Sequence, residues 1–263
     1  MGIYFEFARK SFRQNAVYKA DVLLGVFSHF LYLFLQISVW TVLFSTRPSG
    51  TPISLRQMIT YIILCEFIVP LTRCSIDHRI AERVDDGSIG NDFIRPVNFK
   101  YYMIADDFGD HIFMALYQML PACLFAILFW GLQLPKDPLS GVLAVLLLAG
   151  GVVVNTYLNY CIGLLSFWFQ TRYHVDWLFY ALRSLFSGGM VPLWFYPPAL
   201  RIFSELLPWQ LARFAPLNIF LETAPAGYVA RILVSEMVWF GILVLVERRL
   251  WRMATEKVEV YGG

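Results

Sequence analysis

Charge is scarce in this chain. Of its 263 residues, 15% are Asp, Glu, Lys or Arg, where soluble domains carry about 25%. Hydrophobic residues make up 58%, and the mean hydropathy is +0.58. That composition excludes a disordered chain. It also argues against a soluble globule, because too little polar sequence remains to cover one. An integral membrane protein is the class left standing. The length suits one compact transmembrane domain over residues 1–263, with about six spans of ~20 residues.

Other absences narrow the function. The net charge is only +2, and Lys and Arg gather on no single face, so nucleic acid is not an expected partner. The four cysteines, Cys65, Cys74, Cys123 and Cys161, lie in or beside apolar runs with no C-x-x-C spacing. They read as small packing side chains rather than disulfide or metal ligands. There is no G-x-x-x-x-G-K-[ST] loop, no H-E-x-x-H and no G-x-S-x-G, hence no expected nucleotide, metal or catalytic site on this chain. His29, His78, His111 and His174 sit in four separate segments, without ligand spacing. The acids Asp85, Asp86 and Asp92 lack the Ala-Arg pair that follows the first Asp-Gly of metal-dependent lipid phosphotransferases; here Asp86-Gly87 runs into Ser-Ile-Gly. The first twenty residues hold Glu6, Arg9, Lys10, Arg13 and Lys19 and no apolar core run, so no cleavable leader is expected.

Long apolar runs are what the chain has instead. Spans are expected at 22–45, 57–72, 112–132, 141–169, 177–196 and 228–247. They are read as helices because only a helix satisfies its own backbone in lipid over such lengths, and the alternation of a membrane barrel is missing. With both termini in the cytoplasm, the inner segments collect 14 Lys and Arg and the outer segments six, as the positive-inside rule requires.

Three further pieces stand out. Residues 1–20 read as an amphipathic interfacial helix, with Phe5, Ala8, Phe12 and Ala16 on one stripe and Glu6, Arg9, Lys10 and Arg13 opposite. The loop 74–110 is the longest inner segment. Ile76, Ile80 and Val84 mark a helix, which Gly87, Gly90 and Pro96 end. So folded and charged a connection suggests a docking surface for another protein. The outer segment 197–227 is apolar yet punctuated by proline, which points to short helices dipping back into the membrane and capping an outer mouth.

Charges inside spans must be paired or hydrated, since each costs about 2.5–3.5 kcal/mol at mid-bilayer. Glu66, Arg183 and Glu236 are therefore expected to face the protein interior. Pairing of Arg183 with Glu66 or Glu236 would satisfy them, and so would a place on a substrate path. Gly150, Gly151, Asn155, Asn159 and Gly163 form a face of small and amide side chains in the fourth span, suited to helix packing or to a polar strip along such a path.

Taken in order, these pieces resemble the permease subunits of type-2 ABC exporters. Val84-x-x-Gly87-x-Ile89 followed by Phe93-Ile94-Arg95-Pro96 is similar to that family's aliphatic-x-x-Gly-x-aliphatic and Leu-Leu-Arg-Pro pattern between spans two and three. SGGMVPLWFYPPALRIFSELLPWQLARFAPLNIF resembles its stretch after span five, and Tyr261-Gly262-Gly263 its closing residues. Phe93 stands where Leu is common. The likeness covers nearly the whole chain.

The resemblance implies a six-helix permease of the bacterial inner membrane that pairs with a second permease, identical or not. Each would sit on a separate ATPase, which holds the ATP and Mg²⁺; the permease itself would bind no cofactor. It also implies that the ATPase docks on Arg79, Glu82, Arg83, Asp85, Asp86 and Gly87, and that residues 197–216 gate the exit. Relatives export drugs, antibiotics, lipids or glycan conjugates, so an amphipathic or hydrophobic substrate is expected. A membrane-embedded lipid-modifying enzyme, and a passive channel or scaffold, are the alternatives the residues leave open.

Overall fold

The computed structural model describes residues 2–15, 19–46, 51–73, 75–94, 96–169 and 172–262. Ala16, Arg47, Cys74, Arg95 and Gly263 lie outside them, as do the side chains of Lys19, Phe93, Ile94, Arg172, His174, Lys257 and Tyr261. Among the described residues the regular structure is helical throughout. The chain is an all-α membrane protein: five of its helices are long and apolar enough to cross a bilayer.

Helix α1 (Gly2–Asn15) precedes the first span, α2 (Lys19–Thr46), and the second, α3 (Leu55–Thr72). A capping box starts α3. Gln57 N–H donates to Ser54 Oγ at 3.2 Å, and Ser54 N–H donates to Gln57 Oε1 at 2.9 Å. Pro70 near its other end has no N–H, so the Glu66 carbonyl loses its helical donor. Two short helices follow, α4 (Ile76–Asp85) and α5 (Ile89–Ile94). Between them Gly87 takes a positive φ of 73°, which reverses the chain at little steric cost.

The third span starts earlier than hydropathy indicates. Asn98 caps α6 (Phe99–Met114), which runs through a π-helical turn at Ala115–Met119 into α7 (Leu120–Trp130). The wide turn suits Pro121, which can neither donate back along the helix nor tolerate a close carbonyl there. The inner loop therefore ends at residue 98, and residues 99–110 belong to a continuous rod. Its acids Asp106, Asp107 and Asp110 gave this stretch the look of a loop, but ion pairs absorb them.

The fourth span, α8 (Pro138–Leu164), starts from an Asp137 cap and spans about 40 Å at 1.5 Å per residue. The expected fifth span is shorter than 177–196. Helix α9 (Arg172–Phe186) has 15 residues and stops at Ser187–Gly188, where Gly188 has a φ of 78°. The chain then turns through a 3₁₀ segment at Leu193–Phe195 into α10 (Pro198–Leu206), a 3₁₀ segment at Pro208–Ala212 and α11 (Phe214–Phe220). The last span lies within α12 (Tyr228–Gly262), at 35 residues the longest helix.

Four packing groups hold these elements together. At one end α1 lies across α6, and Gly109 allows the crossing because a Cβ there would overlap the Ala8 carbonyl oxygen. Tyr4, Phe7, Ser11 and Asn15 face this packing, and Phe12 of the expected stripe joins it against Phe113 and Tyr117, with ring centroids 5.4 and 6.0 Å apart. Tyr4 and Phe7 pack on the apolar cluster around Ile76 and Met103, and Ser11 and Asn15 bond Asp110, while Phe5 stays 68% exposed. Helices α2, α3 and α7 form a second group around Leu33, Ile37 and Ile63, and α8, α11 and α12 a third around Leu147, Ala215 and Ile232. The fourth joins α3 to residues 193–221 through Tyr61, Phe214 and Leu217. The cysteines Cys65, Cys123 and Cys161 are buried and free.

Candidate functional site

Residues 207–221 plunge between the spans. The Leu211 carbonyl lies against Gly151, where any Cβ would overlap it. Gly151 is roughly 20 Å along α8 from Pro138, so the segment reaches about halfway through the apolar layer. Irregular backbone survives at that depth only when enclosed by protein, and residues 208–212 are fully enclosed. The segment is pinned at its rim. Gln57 Nε2 donates to the Leu221 carbonyl at 3.2 Å, and Arg201 and Arg231 both bind Glu205, at 2.9 and 2.8 Å.

This plunge carries Arg213 deep into the molecule, where its Nε donates to Thr72 Oγ1 at 3.0 Å. Arg213 also borders a cavity of about 690 Å³ between α2, α3, α9 and the plunging segment. The cavity has two characters. Toward α4 it is lined by His29, Glu66, Arg73, Asp77, His78 and Arg183; toward the far end it is lined by Trp40, Met58, Ile62, Met190 and Pro192.

The charges around it are unequal in their partners. Glu66 is buried and meets His29 Nδ1 at 2.8 Å. Arg183 donates to Asn159 Oδ1 and lies 3.8 Å from Asp77. Among the described residues no carboxylate comes within 4 Å of Arg213 or Arg73. Arg183 thus pairs toward α4 rather than with Glu66 or Glu236. Glu236 sits elsewhere, on α12 against Gly150, and its Oε1 has no hydrogen-bond partner. Gly151, Asn155 and Asn159 serve packing and bridging: Asn155 Nδ2 donates to the Thr72 carbonyl at 2.7 Å, and Asn159 Nδ2 to the Asn155 carbonyl at 2.6 Å.

The second polar region lies where α1, α4 and α6 meet. Arg79 donates to Asp106 and Asp110, with Asp107 at 3.8 Å. Ser11 and Asn15 also donate to Asp110, the latter at 2.6 Å. Arg83 binds Asp92, and its Nη2 donates to the Tyr102 hydroxyl at 3.0 Å. Lys100 reaches Glu247 of α12 at 3.6 Å. On the other face of α4, Asp77 and Ile80 press against Gly163 of α8.

Arg79 and Arg83 therefore point inward and tie α4 to the spans. Glu82, Asp85, Asp86 and Gly87 remain exposed at the tip. Ser88 N–H donates to Asp86 Oδ1 at 2.8 Å; the hydrogen bonds from Ser88 hold the Asp86 carboxyl below the usual carboxylate range, so the tip stays anionic at neutral pH. Among the described residues no cluster of His, Cys, Asp and Glu could hold a metal ion.

Sequence reasoning missed Arg213 and His29 at the cavity. Arg213 sat in a segment read as short helices dipping back from the outer side, and nothing local signals how deep it reaches. His29 was one isolated histidine, and only the fold brings it beside Glu66.

No curated protein matches the chain. The family model described as ABC-2 family transporter protein matches residues 30–262. A membrane domain with a half-buried polar cavity, a plunging segment on one side and a charged tip on the other is what that match covers, and the chain belongs to the ABC-2 transporter family as a permease subunit.

Proposed function

We propose that this chain is one of two permease subunits of an ATP-driven exporter in the bacterial inner membrane, with both termini cytoplasmic. A separate ATPase docks on Glu82, Asp85, Asp86 and Gly87 and carries the ATP and Mg²⁺. Arg79 and Arg83 hold that docking tip rather than forming it. The substrate is amphipathic or hydrophobic and moves along the cavity beside α2, whose outer face of Leu24, Phe27, Leu31 and Phe34 is exposed and is covered by the second permease.

The observation that carries this reading is the mechanical continuity of α4. Its tip is exposed, yet its body is bonded to α6 through Arg79, packed on α8 at Gly163, and linked to α9 through Asp77 and Arg183. A partner that moves the tip on binding ATP displaces three elements at once, one of which, α9, flanks the path. The two arrangements differ in energy only through such contacts.

The test is charge reversal at the tip. The double change Asp85→Lys and Asp86→Lys alters exposed side chains and gives up the hydrogen bond from Ser88 to Asp86, a modest cost that should leave the fold intact. Co-purification with the ATPase should be lost, and transport should fall to its level in ATP-depleted vesicles. Retained binding and transport in the folded variant would remove the docking assignment.

A further inference from the structure

Resting on the reading above, we infer that the cavity selects amphipathic molecules bearing an anionic, phosphate-type group, and that Arg213 is the residue that recognises it. The charges lining the cavity do not balance internally. Glu66 is taken by His29 at 2.8 Å, and Asp77 lies 3.8 Å from Arg183. Arg213 and Arg73 remain as two guanidinium groups without a carboxylate within 4 Å among the described residues.

Arg213 is also poised. Its Nε is committed to Thr72 Oγ1, which fixes the plane of the guanidinium and leaves both terminal nitrogens for a second partner. Gly189 lets the guanidinium settle against it, since a Cβ there would overlap Nη1. A fixed planar fork matches the paired oxygens of a phosphate, where a lysine would offer only a point charge. The fold carries this cation past Gly151 to the inner end of α3, half-buried between the spans, where an uncompensated charge is unfavourable. A bound anion lowers that penalty, and the described residues place no carboxylate within 4 Å of it.

The cavity's polarity states the rest of the ligand. The charged groups, Glu66 and Asp77 as well as the arginines, gather at the α4 end, while Trp40, Met58, Ile62 and Met190 line the far end. A headgroup at Arg213 and Arg73 leaves an apolar tail lying toward the far end, against Trp40, Met58 and Ile62. About 690 Å³ is room for a headgroup and the start of a tail, within the range of small-molecule sites.

The experiment uses the detergent-purified full chain and measures thermal stabilisation by three probes of equal concentration: lysophosphatidic acid, monoacylglycerol of the same chain length, and inorganic phosphate. Lysophosphatidic acid should stabilise the wild type well beyond the other two. Arg213→Gln should weaken its apparent affinity about tenfold or more, as loss of a charge-assisted contact does, and Arg213→Lys should recover only part. Arg73→Gln, at an exposed site, gives a variant with little risk to folding and should weaken the same probe less. Equal responses to lysophosphatidic acid and monoacylglycerol, or an unchanged response in Arg213→Gln, would overturn anion recognition. An equal response to inorganic phosphate would overturn the amphipathic ligand and leave a plain anion site. No ATPase is present in these assays, so a failure here leaves tip docking intact, and a failure of docking leaves this result standing.

Discussion

The molecule has two arginine-rich polar regions, and they are built on opposite terms. In the knot between α1, α4 and α6, Arg79 and Arg83 are surrounded by Asp92, Asp106, Asp107 and Asp110. In the cavity, Arg213 rests on one hydroxyl, with no carboxylate in reach among the described residues. A matched cluster fixes geometry, which suits α4 to the transmitting role proposed for it. A cation held by one hydroxyl gains little from the described residues around it, which makes it a weak strut and suits it to the receptor role proposed for it.

The comparison breaks or holds most visibly when one arginine is removed from each region. Arg79→Ala leaves Asp106 and Asp110 facing each other with their cation gone, a loss of about 3 kcal/mol for a partly buried pair broken on one side. The melting temperature should fall by several degrees, and α4 should become open to protease. Arg213→Gln strands no acid, and its melting temperature in the absence of ligand should stay equal or rise. If Arg213→Gln destabilises the apo protein as much as Arg79→Ala, then Arg213 is structural and the contrast is false.

A second, smaller change tests whether depth makes the receptor. Gly151→Val forces the Leu211 carbonyl away from α8, and strain of this kind costs about 1–3 kcal/mol. The plunging segment should ride outward and take Arg213 away from Thr72. The variant should keep its fold, lose the response to lysophosphatidic acid, and keep its ATPase. A variant that retains that response would show that Arg213 does not depend on the packing at Gly151.

The two regions were also unequally legible in the sequence. Spans at 22–45, 57–72, 141–169 and 228–247 follow from long, mainly apolar runs, and helices α2, α3, α8 and α12 cover them to within a few residues apart from the long tail of α12. The third span was read as starting at 112 because a hydropathy window scores Asp106, Asp107 and Asp110 as water-seeking. Their partners Arg79, Ser11 and Asn15 lie 27 to 99 positions away, outside any window. The inward bonds of Ser11 and Asn15 on α1 were hidden for a related reason: the stripe was sought among apolar residues, and these two pack through hydrogen bonds to Asp110. Arg213 was least legible. Its depth depends on one glycine on α8 accepting a carbonyl from a segment sixty residues later in the chain, and nothing around Arg213 encodes that contact.

The smallest effect concerns the tip, and it separates a transmitting charge from a switching one. Asp86 is fully exposed, and the hydrogen bonds from Ser88 hold its carboxyl below the ordinary carboxylate range. A lowered carboxylate pKa means that the charged form persists as pH falls and is lost only below the usual value of about 4. Asp86 therefore keeps its charge throughout the range from about pH 5 to 8. If docking uses that charge, the ratio of ATPase affinity between wild type and Asp86→Asn should be constant across this interval, even where both affinities drift through groups on the partner. A ratio that falls toward one at about pH 5 would mean that Asp86 is protonating there and that the Ser88 contact does not persist in the complex. A constant ratio above one would mark the tip as a permanently charged handle, leaving the cavity as the region where charge awaits a partner.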